Sequence, residues 1–85
     1  MLKGKTALVT GSTSGIGLGI ALALAEDGAN IVLNGFGEYD SAKRAVAERG
    51  AKVSYHGADM SKPAEIEAMV RACEQEFGAL DILLL

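Results

Sequence analysis

The feature that most constrains the fold is a group of glycines placed between an apolar run and an alanine-rich segment. The apolar run is Thr6–Thr10, and Gly11, Gly15 and Gly17 lead from it into residues 16–27. Eleven of the 85 residues are glycine, well above the average share of about 7%. This arrangement predicts a buried strand that passes through a tight turn into a helix.

Each glycine of this turn has a predicted task. Gly11 lets the chain leave the strand through a tight turn, Gly15 removes a Cβ so that the backbone can approach a pyrophosphate, and Gly17 lets the helix pack closely against the strand. The free amides and the positive end of the helix dipole then face the phosphates. The hydroxyls of residues 12–14 are predicted to add donors on the same turn.

A plain glycine-rich loop is the alternative interpretation, and the cost of glycine in a helix argues against it. Gly17 and Gly19 both fall inside the predicted helix, where each lowers stability by about 1 kcal/mol relative to alanine. Close packing or a ligand would explain such a cost. The phosphate argument leaves Gly19 unexplained.

Strands and helices alternate along the rest of the chain. Gly28, Gly50 and Gly78 are predicted to end the three helices; Asp40 or Ser41 is predicted to cap the second, and Ser61 the third, which has Pro63 in its first turn. The predicted strands are residues 6–10, 30–34, 52–56 and 80–85, and the predicted helices are residues 16–27, 40–49 and 61–77.

This β-α-β-α-β-α-β order predicts a doubly wound parallel α/β sheet of the Rossmann type, covered by helices on both faces. The all-apolar first and fourth strands are predicted to lie centrally. The chain ends inside its most hydrophobic strand. We interpret residues 1–85 as the N-terminal, dinucleotide-binding part of a single domain, truncated after four strands, with the catalytic part absent.

Composition excludes several classes of protein. A net charge of −3 argues against a nucleic-acid surface, which needs clustered Lys and Arg. The single cysteine, Cys73, cannot form an internal disulfide. The longest apolar stretch, residues 16–25, is shorter than a membrane helix requires. We therefore expect a cytoplasmic protein that binds neither nucleic acid nor membrane.

The turn resembles a known family. Thr10-Gly11-x-x-x-Gly15-x-Gly17 is similar to the T-G-x-x-x-G-x-G motif of the short-chain dehydrogenase/reductase family, and the resemblance continues through Asp59-Met60 and residues 80–83. Within that family, residues 11–20 and 31–37 are similar to the bacterial D-3-hydroxybutyrate dehydrogenases.

The resemblance implies roles for particular residues. Asp59 would accept a hydrogen bond from the adenine amino group and Met60 would pack on the ring; alternatively, Asp59 only caps the turn before Ser61 and Met60 is core. Phe36 would lie along the adenosine ribose. The pyrophosphate and nicotinamide side of the cofactor would be lined by Gly11, Thr13, Gly15 and Ile16. Ser14, as a hydroxyl donor, and Gly17, through helix packing, complete the cofactor-binding residues predicted in the turn.

The implied activity is hydride transfer between a nicotinamide cofactor and a secondary alcohol or ketone, with D-3-hydroxybutyrate and acetoacetate as the expected pair. The hydroxy-acid or alcohol substrate would bind only to an intact chain, and intact relatives are expected to be homo-oligomers. Two other interpretations stay open: a stand-alone nucleotide-binding module without catalysis, and a non-functional remnant.

The end of the second strand bears on the choice of cofactor. NAD-binding folds place an acid there for the ribose 2′-hydroxyl, whereas this sequence has Asn34-Gly35-Phe36, with Glu38 a few residues late. No Arg or Lys stands there to hold a 2′-phosphate, because Lys43 and Arg44 come later. Ser14 occupies a position that is often basic in NADP-preferring relatives. NAD is therefore predicted, and NADP is less favoured.

The remaining candidates for catalysis or metal binding are weak. Tyr39-x-x-x-Lys43 matches the spacing of the family's catalytic pair, but it follows the second strand, where adenosine would bind, so no catalytic residue is assigned. His56 has no partner at metal-ligand spacing, and no metal site is predicted. Cys73 is expected in the core, and Asp81 is expected to hold a neighbouring turn.

Overall fold

A computed structural model of the protein describes residues 1–84. Leu85, the last residue of the predicted fourth strand, lies outside the described residues. Every predicted strand and helix is present in the predicted order. The elements are β1 Thr6–Val9, α1 Gly15–Glu26, β2 Asn30–Leu33, α2 Asp40–Ala47, β3 Val53–Tyr55, α3 Pro63–Phe77 and β4 Ile82–Leu84.

The strands form one parallel sheet in the order β3-β2-β1-β4 over residues 1–84. The register sets Leu8 of β1 opposite Val32 of β2 and Leu83 of β4. β1 is interior, as predicted; β4 lies at the edge of the described sheet, and β2 is the second interior strand. The order β3-β2-β1-β4 is that of the first four strands of a doubly wound sheet, in which further strands lie beyond the fourth.

Helices cover both faces of the sheet, because successive residues of a strand point to opposite sides. Ala7 and Val9 of β1 face α1 and α2, whereas Leu8 faces α3. Cys73 is buried in the α3-side core, as predicted, and burial raises the pKa of its thiol. The α1/α2-side core is Ala7, Val9, Ala21, Ala25, Ala29, Ile31, Leu33, Ala42 and Val46; the α3-side core is Leu8, Val32, Ala58, Met69 and Cys73.

The predicted N-caps of α2 and α3 were wrong. Tyr39 precedes α2, and the carboxylate of Glu38 accepts a 2.8 Å hydrogen bond from the Ser41 amide. Hydrogen bonds from Ser41 keep the pKa of the exposed Glu38 below its usual value. At α3 the N-cap is Lys62, because the Ser61 hydroxyl is turned toward Asp59. The three helices end within one to three residues of Gly28, Gly50 and Gly78, as predicted.

The two interior glycines of α1 have different surroundings. A Cβ on Gly17 would lie 2.1 Å from the Gly11 carbonyl oxygen, far inside contact distance. Gly17 therefore permits close packing, as predicted, but against the backbone of the turn rather than against β1. Gly19 is exposed, and a Cβ there would meet nothing within 4 Å. Neither packing nor the turn explains Gly19.

This contrast predicts opposite effects of the same substitution two residues apart. Gly19→Ala should raise the free energy of unfolding by about 1 kcal/mol, because the helix gains propensity without a clash. Gly17→Ala should lower it by roughly 2 kcal/mol or more, because backbone must move to admit the methyl group. Urea denaturation of both variants measures these effects, and a neutral Gly17→Ala would contradict the packing described here.

Candidate functional site

Three loops meet at the carboxyl edge of the sheet, where open α/β folds bind their ligands. The first follows β1 and contains the glycine turn, residues 10–14. The second joins β2 to α2 through residues 34–39, and the third joins β3 to α3 through residues 56–62. Hydrogen bonds between these loops fix their relative positions.

Ser12 ties the first loop to the second. Its side chain is fully buried. The Ser12 hydroxyl donates to the Val9 carbonyl at 2.6 Å and accepts from the backbone N–H of Asn34 at 3.0 Å. The Ser12 amide donates to the Asn34 carbonyl at 2.7 Å. The hydroxyl is thus committed inside the protein, so the predicted use of Ser12 as a donor to a bound anion was wrong.

Asn34 extends this connection to the third loop. Only 2% of the residue is exposed, and its Nδ2 donates to the carbonyls of His56 at 2.9 Å and Ala58 at 3.0 Å. One buried amide therefore fixes the segment that leads to Asp59. The sequence showed Asn34 only as a residue standing where an acid is usual, and this role was not predicted; a polar residue closing a buried apolar run was the available signal.

The glycine turn needs its glycines for conformation as well as for space. Gly11 and Gly15 have φ values of +60° and +62°, a region that residues with a Cβ rarely adopt. A Cβ on Gly15 would meet no protein atom within 4 Å, so its surroundings leave room for a ligand. Because of the positive φ, however, we expect Gly15→Val to strain the turn itself, and that variant cannot separate binding from folding.

Within residues 1–84, no acidic side chain lies in the first turn of α1 and no side chain caps its N-terminus. Its N-cap is Ser14, which is extended and exposed and whose side chain makes no capping hydrogen bond. The first turn of the helix holds no acidic residue. Ile16 projects from this turn with 86% of its surface exposed. The positive end of the helix dipole is therefore free to attract an external anion.

The second loop presents an aromatic ring beside the turn. Phe36 is 73% exposed, and its carbonyl accepts a 3.3 Å hydrogen bond from the Thr13 hydroxyl. A Cβ on Gly35 would come within 2.7 Å of that same Thr13 oxygen. Thr13 thus contacts the second loop at both Gly35 and Phe36.

Asp59 and Met60 both have structural contacts in the third loop. Asp59 Oδ1 accepts hydrogen bonds from the Ser61 amide at 2.9 Å and the Ser61 hydroxyl at 2.7 Å, which lower the pKa of Asp59. Met60 is half-buried against the α3-side core. Asp59 therefore caps the turn before Ser61 and Met60 packs against the core, but neither residue is fully buried, so these contacts are compatible with the implied cofactor roles.

Tyr39 and Lys43 do not form a catalytic pair in this structure. Tyr39 lies before α2 rather than within it, and its ring stacks on Tyr55 with centroids 3.7 Å apart and planes 2° from parallel. The Tyr55 hydroxyl in turn donates to the Gly35 carbonyl. Tyr39 is thus an element of the second loop's packing.

The last candidates are structural or unassigned. Asp81 Oδ2 accepts a 2.9 Å hydrogen bond from the Thr6 amide, so it fixes the start of β1. Among the described residues, no group forms a hydrogen bond with the buried Nδ1 of His56, and His56 lines a small cleft with Cys73. Across residues 1–84, no three His, Cys, Asp or Glu side chains come together as metal ligands. Within the same residues, no helix has the length and apolarity to cross a membrane.

The sequence matches a known family and curated proteins of that family. Residues 5–85 match the family model described as short chain dehydrogenase. The chain belongs to the short-chain dehydrogenase family. A D-beta-hydroxybutyrate dehydrogenase of Cupriavidus necator is 65% identical over 99% of this chain, and one of Rhizobium meliloti is 51% identical over 94%. The chain spans about a third of the length of each, 33% in both cases.

Solved structures of the family share the fold. A short-chain type dehydrogenase/reductase from Mycobacterium marinum superposes with a TM-score of 0.91 at 32% identity, covering 96% of this chain and 34% of that one. A hydroxysteroid dehydrogenase from Escherichia coli gives a TM-score of 0.89 at 27% identity, covering 96% and 36%. The Rossmann-like α/β architecture expected from the sequence is thereby confirmed.

The buried amide of Asn34 generates a prediction about stability. Asn34→Asp replaces the side-chain donor by a carboxylate that faces two carbonyl oxygens. We expect this to lower the free energy of unfolding by roughly 3 kcal/mol or more at neutral pH. The buried carboxyl would have a raised pKa in the folded state. Its penalty should therefore be smallest below about pH 4 and grow as the pH rises from there toward the folded pKa.

Asn30→Asp is the matched control for this prediction. Asn30 is the first residue of β2, the strand that Asn34 follows; it is only half-buried and donates to the Thr6 hydroxyl at 3.4 Å. That hydroxyl can turn and donate to a carboxylate, so the control should cost much less. Urea denaturation at pH 4 and pH 7 measures both variants. Equal losses would show that the Asn34 amide has no special importance.

Proposed function

We propose that residues 1–85 form the cofactor-binding part of an NAD-dependent oxidoreductase domain whose catalytic groups lie outside them. The enzyme would transfer hydride between the nicotinamide and a secondary alcohol or ketone. The observation that carries this proposal is the N-terminus of α1, which faces the carboxyl edge of the sheet without a side-chain cap or an acidic residue. A dinucleotide pyrophosphate is the anion that such a strand–glycine turn–helix unit holds.

In this proposal the glycine turn holds the pyrophosphate. The backbone at Gly11 and Gly15 has no side chain to keep phosphate oxygens away, and Ser14 offers an uncommitted hydroxyl. Gly17 allows α1 to lie close to the turn, so that the positive end of the helix dipole is near the proposed pyrophosphate site. Ile16, exposed beside these amides, would contact the nicotinamide side of the cofactor.

The second and third loops would hold the adenosine. Phe36 presents its ring to solvent, where it could cover the ribose. Thr13, which donates to the Phe36 carbonyl, connects this surface to the pyrophosphate site. Asp59 has one carboxylate oxygen committed to Ser61, and its other oxygen is the proposed acceptor for the adenine amino group. Met60 would pack against the adenine ring.

Electrostatics supports NAD over NADP. The loop of residues 34–39 holds one charged side chain, Glu38, and no cation. Its carboxylate accepts from the Ser41 amide and adds negative charge where a 2′-phosphate would have to bind. Lys43 and Arg44 are exposed on α2, after this loop. A 2′-phosphate would therefore meet no counter-charge in the loop, whereas a ribose hydroxyl needs none.

The proposed substrate pair is D-3-hydroxybutyrate and acetoacetate. The support is the similarity to two D-beta-hydroxybutyrate dehydrogenases, at 65% and 51% identity. The proposal includes a homo-oligomeric enzyme, as expected from the family resemblance. It also places the enzyme in the cytoplasm, with which a lone, buried thiol agrees. Oxidation of D-3-hydroxybutyrate by the full-length protein carrying this chain, followed by NADH absorbance, tests the substrate assignment, with L-3-hydroxybutyrate as the control.

The cofactor assignment predicts that NAD⁺ binds more tightly than NADP⁺ and that Phe36→Arg shifts this preference toward NADP⁺. A guanidinium at this position would pair with the 2′-phosphate, and we expect the ratio of the two dissociation constants to move about tenfold toward NADP⁺. Calorimetric titration of the full-length protein with each dinucleotide measures the ratio.

Gln75→Arg is the control for added charge, because Gln75 is exposed near the C-terminal end of α3, away from the carboxyl edge of the sheet. It should leave the ratio unchanged. A wild-type protein that prefers NADP⁺, or a Phe36→Arg protein with the wild-type ratio, would rule out the proposed ribose site.

A further inference from the structure

We propose that Tyr55 is a positioning residue for adenosine: it holds residues 35–39 of the second loop so that Phe36 is presented to the ribose. Tyr55 need not touch the cofactor to do this. The inference rests on the proposed dinucleotide site and adds a determinant of affinity that lies in β3, outside the loops assigned to binding.

The first contact is between the Tyr55 hydroxyl and the start of the loop. Tyr55 is the last residue of β3, and its hydroxyl donates to the Gly35 carbonyl. Gly57 lies beside the hydroxyl, since a Cβ on Gly57 would be 3.3 Å from it. Thr13 lies close to Gly35, since a Cβ on Gly35 would come within 2.7 Å of Thr13 Oγ1, and the Thr13 hydroxyl donates to the Phe36 carbonyl. The peptide preceding Phe36 is therefore fixed by Tyr55 and Thr13 together.

The second contact is between the Tyr55 ring and the end of the loop. The ring of Tyr39 lies on it, 3.7 Å between centroids and 2° from parallel. Tyr39 immediately precedes α2, whose first turn is bonded to Glu38. One side chain thus contacts both ends of a five-residue loop. Phe36 lies between these two contacts, and its carbonyl is bound by Thr13.

The exposed ring of Phe36 adds little to the stability of the folded protein. Fixing a loop costs conformational entropy for each residue, and the apolar ring carried by this loop is 73% exposed rather than buried in the core. A loop held at both ends around an exposed aromatic side chain is instead suited to preorganised binding, because the ordering cost is met before the ligand arrives. The ligand half that benefits is adenosine, since nicotinamide would lie at the other end of the dinucleotide.

The test is Tyr55→Phe in the full-length protein that carries this chain. The variant keeps the ring and its stack but loses the hydrogen bond to Gly35. We expect the dissociation constants of NAD⁺ and ADP-ribose to rise about 3- to 10-fold, the equivalent of one hydrogen bond. Nicotinamide mononucleotide, which lacks adenosine, should bind as it does to the wild type, and kcat at saturating NAD⁺ should be unchanged.

Three further variants separate positioning from general damage. Tyr39→Ala removes the stack and should also weaken ADP-ribose binding, whereas Tyr39→Phe keeps it and should restore wild-type affinity. Ser54→Ala is the matched control: Ser54 precedes Tyr55 in β3, and its hydroxyl bonds to Glu76 of α3 on the opposite face of the sheet. It should leave all nucleotide affinities unchanged.

The outcomes separate this inference from the proposed function. Wild-type protein that fails to bind NAD⁺ would overturn both. Wild-type protein that binds NAD⁺, with ADP-ribose affinity unaffected by Tyr55→Phe, would overturn the positioning role alone. Equal weakening of ADP-ribose and nicotinamide mononucleotide, or equal weakening by Ser54→Ala, would also overturn it, because the effect would then not be specific to the adenosine loop.

Discussion

The site depends on the paired hydrogen bonds between Ser12 and Asn34. Where parallel strands end together, their last backbone groups lose strand partners, and buried groups of this kind must be satisfied. The Ser12 hydroxyl bonds to the Val9 carbonyl and the Asn34 amide, and the Asn34 side chain bonds to the carbonyls of His56 and Ala58. The side chains of Ser12 and Asn34 thereby hold the segments that follow β1, β2 and β3 in fixed positions relative to one another.

The order of elements could be predicted because its signals are local. A buried strand is a short apolar run, a helix is a longer segment with its own periodicity, and glycines mark the ends of both. Gly78, for example, ends α3 directly after Phe77. The fourth strand shows the limit of such signals: its apolar residues predict a strand, but its position beside β1 follows from the crossovers of the fold and not from its composition.

Much of the site could not be predicted because it is made of contacts between distant residues. Ser12 meets Asn34 across 22 positions of sequence, and the Tyr55 hydroxyl meets Gly35 across 20. Neither pair has a spacing that a helix or a hairpin would bring together. The Tyr39–Lys43 spacing shows the converse, since it matches a catalytic motif while the Tyr39 ring packs on Tyr55. Local spacing identifies a motif, but only the fold decides which partner a side chain meets.

The glycine motif therefore supports two separate conclusions. Gly17 is required by the contact with the Gly11 carbonyl, and Gly11 and Gly15 by their positive φ, whether or not a nucleotide is bound. These requirements establish the turn, and hence the fold. Evidence for a ligand comes instead from what the fold leaves unused: an uncapped helix N-terminus, and the exposed side chains of Ile16 and Phe36 beside it. Apolar groups exposed next to free amides match a molecule with rings at both ends of a diphosphate, which is the form of a dinucleotide.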